Sequence, residues 1–122
     1  MRILFIDDRV HEVVRQWKLS GCGKDYFLIH PEAFISASKT REMVEKQQPD
    51  VVVVGYGLGK IGTTGADVIR VLRGSNYAGF VVGNSGDPNQ FILDGVELDG
   101  MANRNPETLK SVLDNLKERN VV

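Results

Sequence analysis

Residues 50–60 read DVVVVGYGLGK. Four consecutive valines are β-branched, stiff at χ1 and suited to a pleated strand. The run is apolar at every position rather than at alternate ones, which predicts a strand covered on both sheet faces. The QQP before it ends any upstream helix, because proline disfavours helical backbone in the residue preceding it. After the valines come Gly55, Gly57, Gly59 and Gly62, with Lys60, Thr63 and Thr64 among them. Such a segment is either a cradle for phosphate or a loop from which a reactive residue is missing.

Working outward, RILFID (2–7) is a short apolar run of β-formers and predicts a buried first strand. Val10, Val13, Val14 and Trp17 recur at helical spacing, and that helix stops near Gly21 and Gly23. YFLIH (26–30) is the second strand, and SASKTREMVEKQQ (36–48) a helix. Beyond the glycines, GADVIRVLR (65–73) sets Ala66, Ile69 and Leu72 on one helical side. AGFVVGN (78–84) is the fourth strand, DPNQFILDGV (87–96) a short helix with Pro88 in its first turn, and GMANR (100–104) the fifth strand. Asn105 caps a last helix that has Pro106 at its first position and Glu107 near its positive end. That helix, PETLKSVLDNLKER (106–119), aligns Leu109, Val112, Leu113 and Leu116 as a core stripe.

Strands alternating with helices through short connections imply a parallel sheet with helices on both faces. No repeat or linker interrupts residues 1–122, which read as a single domain. Sites in such folds gather where the strands end. The residues there are Asp7, Asp8, Gly55, Asn84, Ser85 and the stretch around Arg104.

Bulk composition narrows the function. The 122 residues are 42% hydrophobic and 25% charged, ordinary globular values, with a net charge of −1. That balance gives no reason to expect direct nucleic-acid or anionic-membrane binding, and the basic residues Arg41, Lys46, Arg70, Arg73, Lys110 and Lys117 are scattered. No apolar stretch reaches membrane-spanning length, and MRILFIDD turns acidic too soon for a signal peptide. Cys22 is the one cysteine, which with His11 and His30 falls short of a structural zinc set. The two histidines suit solvent-facing roles, and a reduced cytoplasmic setting is expected. No nucleophile–base set or paired acid and base is arranged by the chain order, so catalysis is not expected.

GLGKIG (57–62) satisfies G-x-G-x-x-G between a strand and a helix, where phosphate would meet backbone N–H groups, with Lys60 adding charge. A dinucleotide site also wants an acidic residue at the end of the next strand, yet Asn84 stands there and Asp87 lies beyond. The phosphate-loop pattern fails too, with Val54 for its first glycine and Ile61 for its Ser or Thr. A turn needing unusual backbone angles explains the glycines more simply.

Asp7 and Asp8 side by side suggest hard oxygen ligands for Mg²⁺, or a solvated helix start. The order ILFIDD, QQPDVVVVG, GADVIRVLR, then NP before the last helix resembles the receiver domain of bacterial response regulators, over Met1 to about Arg119. The resemblance implies a flavodoxin-like (CheY-like) doubly wound five-stranded sheet of order 2-1-3-4-5. It implies that Asp7 and Asp8 match the family's Mg²⁺-holding acidic pair. It puts Gly55 where the family has its phosphoacceptor aspartate, and glycine cannot form an acyl phosphate. Tyr56, Thr63 and Thr64 are different chemistry.

Other departures agree. The family's Ser/Thr falls at Asn84 or Ser85, and its lysine is replaced by Asn105 with Arg104 one position earlier. Arginine is not equivalent to lysine as a phosphate ligand. The loop from Gly55 to Gly65 is about two residues longer than the family's. The resemblance is therefore to a pseudo-receiver.

Such a chain is expected to act in two-component, phosphorelay-like signalling by binding another signalling protein, with a homodimer also open. The face implied by the family is the fourth helix, fifth strand and fifth helix, with Phe91, Ile92, Leu93, Met101 and the outer side of KSVLDNLKER as contacts. Two alternatives remain at this point. One is a nucleotide or anion sensor using Gly57, Gly59, Lys60, Gly62 and Thr63, with Asn84 and Arg104. The other is a weak Mg²⁺-controlled switch at Asp7 and Asp8, no cofactor being required otherwise. A positive φ at Gly55 would make that position refuse an aspartate.

Overall fold

The computed structural model describes residues 1–29, 34, 36–60, 62–87 and 89–119. Parallel strands β1 (Arg2–Ile6), β2 (Phe27–Leu28), β3 (Val51–Val54), β6 (Phe80–Asn84) and β7 (Gly100–Ala102) form one sheet of order β2-β1-β3-β6-β7. Numbered within that sheet alone, the order is 2-1-3-4-5, as the resemblance implies. The helices are α1 (Val10–Leu19), α2 (Ala37–Gln47), α3 (Gly65–Gly74), α4 (Asn89–Leu93) and α5 (Pro106–Arg119), with a 3₁₀ turn over Cys22–Asp25.

Helix boundaries follow local chemistry. The Ser36 hydroxyl oxygen accepts the Lys39 N–H at 3.1 Å and starts α2. Gln48, just before Pro49, turns left-handed (φ 50°) and stops it. Asn105 Oδ1 accepts the Glu107 N–H at 2.9 Å to start α5.

β3 is the centre of the fold. Val51, Val52, Val53 and Val54 are buried, two to each side of the sheet. Val51 and Val53 join Val10, Val14 and Trp17 of α1 and Leu109, Leu113 and Leu116 of α5. Val52 and Val54 join Val44 of α2, Val68, Ile69 and Leu72 of α3, and Phe91 of α4. Burial on both faces is why the valine run shows no alternation.

Three expectations need correction. Residues 55–65 are not an open loop: Gly57–Lys60 (β4) and Thr63–Thr64 (β5) form an antiparallel hairpin. Gly59 and Gly62 take the left-handed angles this hairpin needs (φ 72° and 78°). The helix expected over 87–96 is a shorter one, Asn89–Leu93, and Pro88 lies outside the described residues. The second strand is confined to Phe27–Leu28, and His30 also lies outside the described residues. Among the described residues no helix is long and apolar enough to cross a membrane.

Candidate functional site

β1, β3 and β6 run side by side, so the residues that leave their carboxyl ends share one rim. Asp7 follows β1, Gly55 follows β3, and Asn84 ends β6. Arg104 and Asn105 enter from the segment joining β7 to α5. Of the residues expected at this rim, the structure brings Asp7, Asp8, Gly55, Asn84 and Arg104 together.

Asp7 is only 2% exposed. A buried carboxylate needs partners to offset lost hydration, and Asp7 has two. Its Oδ1 accepts the Arg9 N–H at 3.0 Å, where α1 begins. The Arg104 guanidinium donates to Oδ1 at 3.3 Å and to Oδ2 at 3.2 Å, and lies 3.9 Å from Asp8 Oδ1. Burial nevertheless dominates: together with the hydrogen bond that a protonated Asp7 gives the adjacent Asp8 carboxylate, it pushes the Asp7 carboxyl up to about 6, against the Arg9 N–H and Arg104.

The space above Gly55 is where these groups meet. A Cβ added there would collide with Asp7 Oδ2 and stand 3.6 Å from the Arg104 guanidinium. Gly55 is not in the left-handed region among the described residues, so the obstacle to a side chain is the Asp7 carboxylate and not backbone conformation. This replaces the expectation based on φ. Gly65 is constrained differently: a Cβ on it would run into the Gly55 carbonyl oxygen, while its N–H donates to Tyr56 O at 2.7 Å.

Arg104 is itself held. Its backbone is left-handed (φ 72°), a conformation that costs a residue with a Cβ on the order of 1–3 kcal/mol. The buried Asn84 side chain offsets this, its Oδ1 accepting the Arg104 N–H at 2.8 Å. Ser85, also buried, engages its hydroxyl with Asp87 O (3.3 Å) and Gln90 Oε1 (3.2 Å). Asn105 caps α5 rather than facing the rim. The polar atoms at the switch-like positions therefore already have partners within the chain.

The hairpin packs onto the body of the domain. Leu58 is buried in the α2–α3 core, and Gly59 lies within 3.4 Å of the Asp8 Cβ when given a Cβ of its own. Gly57, Gly62 and Thr63 are parts of the hairpin, as is the backbone of Lys60. Asp67 accepts the Thr64 N–H at 2.8 Å where α3 starts. Tyr56 crosses from this region to α4: its hydroxyl donates to Asp94 Oδ2 at 2.6 Å, and its ring meets Phe91 edge-on at 5.2 Å. The Asp94 bond is the main reason the Tyr56 hydroxyl is shifted upward. Sequence reasoning missed both Tyr56–Asp94 and Asp7–Arg104, pairs separated by 38 and 97 residues.

No group of three His, Cys, Asp or Glu side chains among the described residues is arranged to hold a metal. Asp7 and Asp8 offer two carboxylates, but Mg²⁺ demands near-octahedral oxygen coordination and a guanidinium lies against both. As arranged, this donor set does not fit a resident Mg²⁺.

No protein-family model matches the chain, and no curated protein matches it. Solved structures do. A DNA-binding response regulator of the LuxR family from Staphylococcus aureus aligns with a TM-score of 0.74 at 16% identity, covering 94% of this chain and 97% of that one. A two-component response regulator of the LuxR family from an Aurantimonas species aligns at 0.76 and 19% identity, covering 96% and 85%. The fold is that of a receiver domain. The activated N-terminal receiver domain of RstA from Klebsiella pneumoniae aligns at 0.73 and 20% identity, covering 94% and 97%. At these identities the likeness is one of fold, and the chemistry of the rim has to be read from its own residues.

Proposed function

We propose that this chain is a non-phosphorylatable, receiver-like signalling module that acts by binding another protein, without catalysis. One observation carries the reading: the Asp7 carboxylate, gripped by Arg104, fills the space over Gly55 that an acceptor side chain would need. No carboxylate at position 55 is available to accept phosphate, and a guanidinium already pairs with the acidic residues that the family resemblance assigns to Mg²⁺. Any Mg²⁺ binding at Asp7 and Asp8 is expected to be weak and to require Arg104 to move. The hairpin around Leu58 and the engaged side chains of Asn84 and Asn105 argue against the nucleotide-sensor reading.

The partner surface in this proposal is α4, β7 and the outer side of α5. Ile92 and Leu93 are 57% and 85% exposed on α4, and Met101 is 39% exposed on β7. Phe91, expected to belong to that surface, is fully buried and packs in the core instead. Leu109, Leu113 and Leu116 are core residues, as expected. The setting in this reading is bacterial two-component signalling in the cytoplasm, with a homodimer through the same face as one form of the interaction.

Incubation with acetyl phosphate and Mg²⁺, followed by intact-mass spectrometry, tests the central claim. The mass is expected to stay unchanged. A hydroxylamine-labile phosphoryl adduct would overturn the reading. In parallel, adding Mg²⁺ or nucleotides is expected to leave the amide resonances of Gly55–Gly65 in place.

A further inference from the structure

Opposite the β7 edge, the sheet ends at β2, two residues long and, among the described residues, paired with β1 alone. Phe27 donates its N–H to Met1 O at 2.9 Å, and Ile29 donates to Ile3 O at 2.9 Å. In a parallel ladder this alternation turns the N–H and C=O of Leu28 outward, away from β1. No described residue pairs with them, and main-chain groups left open on a sheet edge are a template for another strand. Beside them Phe27 is 64% exposed, a large apolar ring with the Arg2 guanidinium 5.8 Å from its centre.

Helix α1 runs along the same edge. His11, Arg15 and Lys18 stand at i, i+4 and i+7 and so form one stripe. With Arg2, Phe27 and Leu28 they line a groove of about 830 Å³, and no acidic side chain lines it among the described residues. Among the described residues, none of Arg2, Arg15 and Lys18 takes part in an ion pair. The chain as a whole carries a net charge of −1, so positive charge is concentrated here against the overall balance.

We propose that this groove binds an acidic, extended segment of a partner protein laid along β2. The segment's backbone pairs with Leu28, its carboxylates meet Arg2, Arg15 and Lys18, and an apolar residue covers Phe27. Addition of a strand to an exposed edge is a recurring mode of peptide recognition, with main-chain bonds giving affinity and side-chain contacts specificity. A compact phosphate ligand would match the charge but leave the Phe27 ring and the Leu28 backbone groups unused. The groove and the Ile92–Leu93–Met101 surface lie on opposite edges of the sheet, so the two proposals stand or fall separately.

The test uses a fluorescein-labelled decapeptide of alternating Glu and Val, followed by anisotropy and by amide NMR. Saturable binding is expected, with shifts centred on Arg2, α1 and Phe27–Ile29. It should be lost at about 1 M salt, where the Debye length falls to about 3 Å. The double charge reversal Arg15→Glu/Lys18→Glu, at two exposed positions, is expected to weaken binding about tenfold or more while leaving the circular dichroism spectrum unchanged. Ile92→Glu should leave binding intact. The proposal is overturned by absence of saturable binding, by equal binding of the charge-reversed variant or of a Lys–Val peptide, or by loss of binding in Ile92→Glu. It is also overturned if inorganic phosphate or phosphatidylserine vesicles move the same amides and the peptide does not.

Discussion

Asp7 is 2% exposed and Leu93 is 85% exposed, each the reverse of what its side chain favours alone in water. At the carboxyl rim, the buried charge is answered by Arg104 and the Arg9 N–H, and Arg104 in turn by Asn84. At the margin formed by α4 and β7, the apolar side chains of Ile92, Leu93 and Met101 stay exposed to solvent to differing degrees. The rim is a closed network whose members depend on one another. The margin is a surface whose residues are individually dispensable to folding. Interaction is therefore expected to reside at the margin, and stability at the rim and the core beneath it.

Adjacent residues of α4 give the sharpest test of that contrast. Phe91→Ala should cost about 3–5 kcal/mol in urea unfolding, since the ring is fully buried, whereas Leu93→Ala should stay within about 0.5 kcal/mol. Comparable losses at both positions would break the comparison. Gly55→Asp is expected to destabilise by about 1–3 kcal/mol, because the new Cβ enters space held by Asp7 Oδ2, and to remain unmodified by acetyl phosphate. A stable variant that takes phosphate would show that the rim is not closed.

Asp7→Asn probes the same network through pH. The folded chain raises the Asp7 carboxyl from 3.8 to about 6, so it holds that proton more tightly than the unfolded chain does. The resulting stabilisation is complete below about pH 3.8 and is lost as pH rises through about 6. Wild-type stability minus that of Asp7→Asn should therefore fall between pH 4 and pH 6 and be level above that range, as measured by urea midpoints across pH. A flat difference would mean that Arg104 governs the carboxyl rather than burial. Tyr56→Phe, which removes the bond to Asp94, should have the smallest effect, loosening the tie between the hairpin and α4, measurable by amide exchange.

Much of the fold was legible because its signals are local. The valine run identified the central strand, and Asn105–Pro106 marked the start of α5 to the residue. The hairpin was not legible, because GLGKIGTT has a glycine content that favours turns and no alternation that marks strands. At the rim, the candidate positions followed from strand ends, but the pairing did not. Nothing in the vicinity of Asp7 indicates an arginine 97 residues later, held in a left-handed conformation by an asparagine on another strand. The basic groove was hidden for the same reason, since Phe27 and Leu28 join Arg2, Arg15 and Lys18 only once β2 pairs with β1.

The closed rim also constrains which sequences this fold can reach from here. A carboxylate at position 55 collides with Asp7 as long as Arg104 keeps Asp7 in place. Removing the Arg104 side chain first leaves a buried carboxyl without its counter-charge. Each single step is downhill in stability, and only their combination opens space for the new side chain. Gaining an acceptor is thus an epistatic problem: either change made alone costs stability before the pair opens the space.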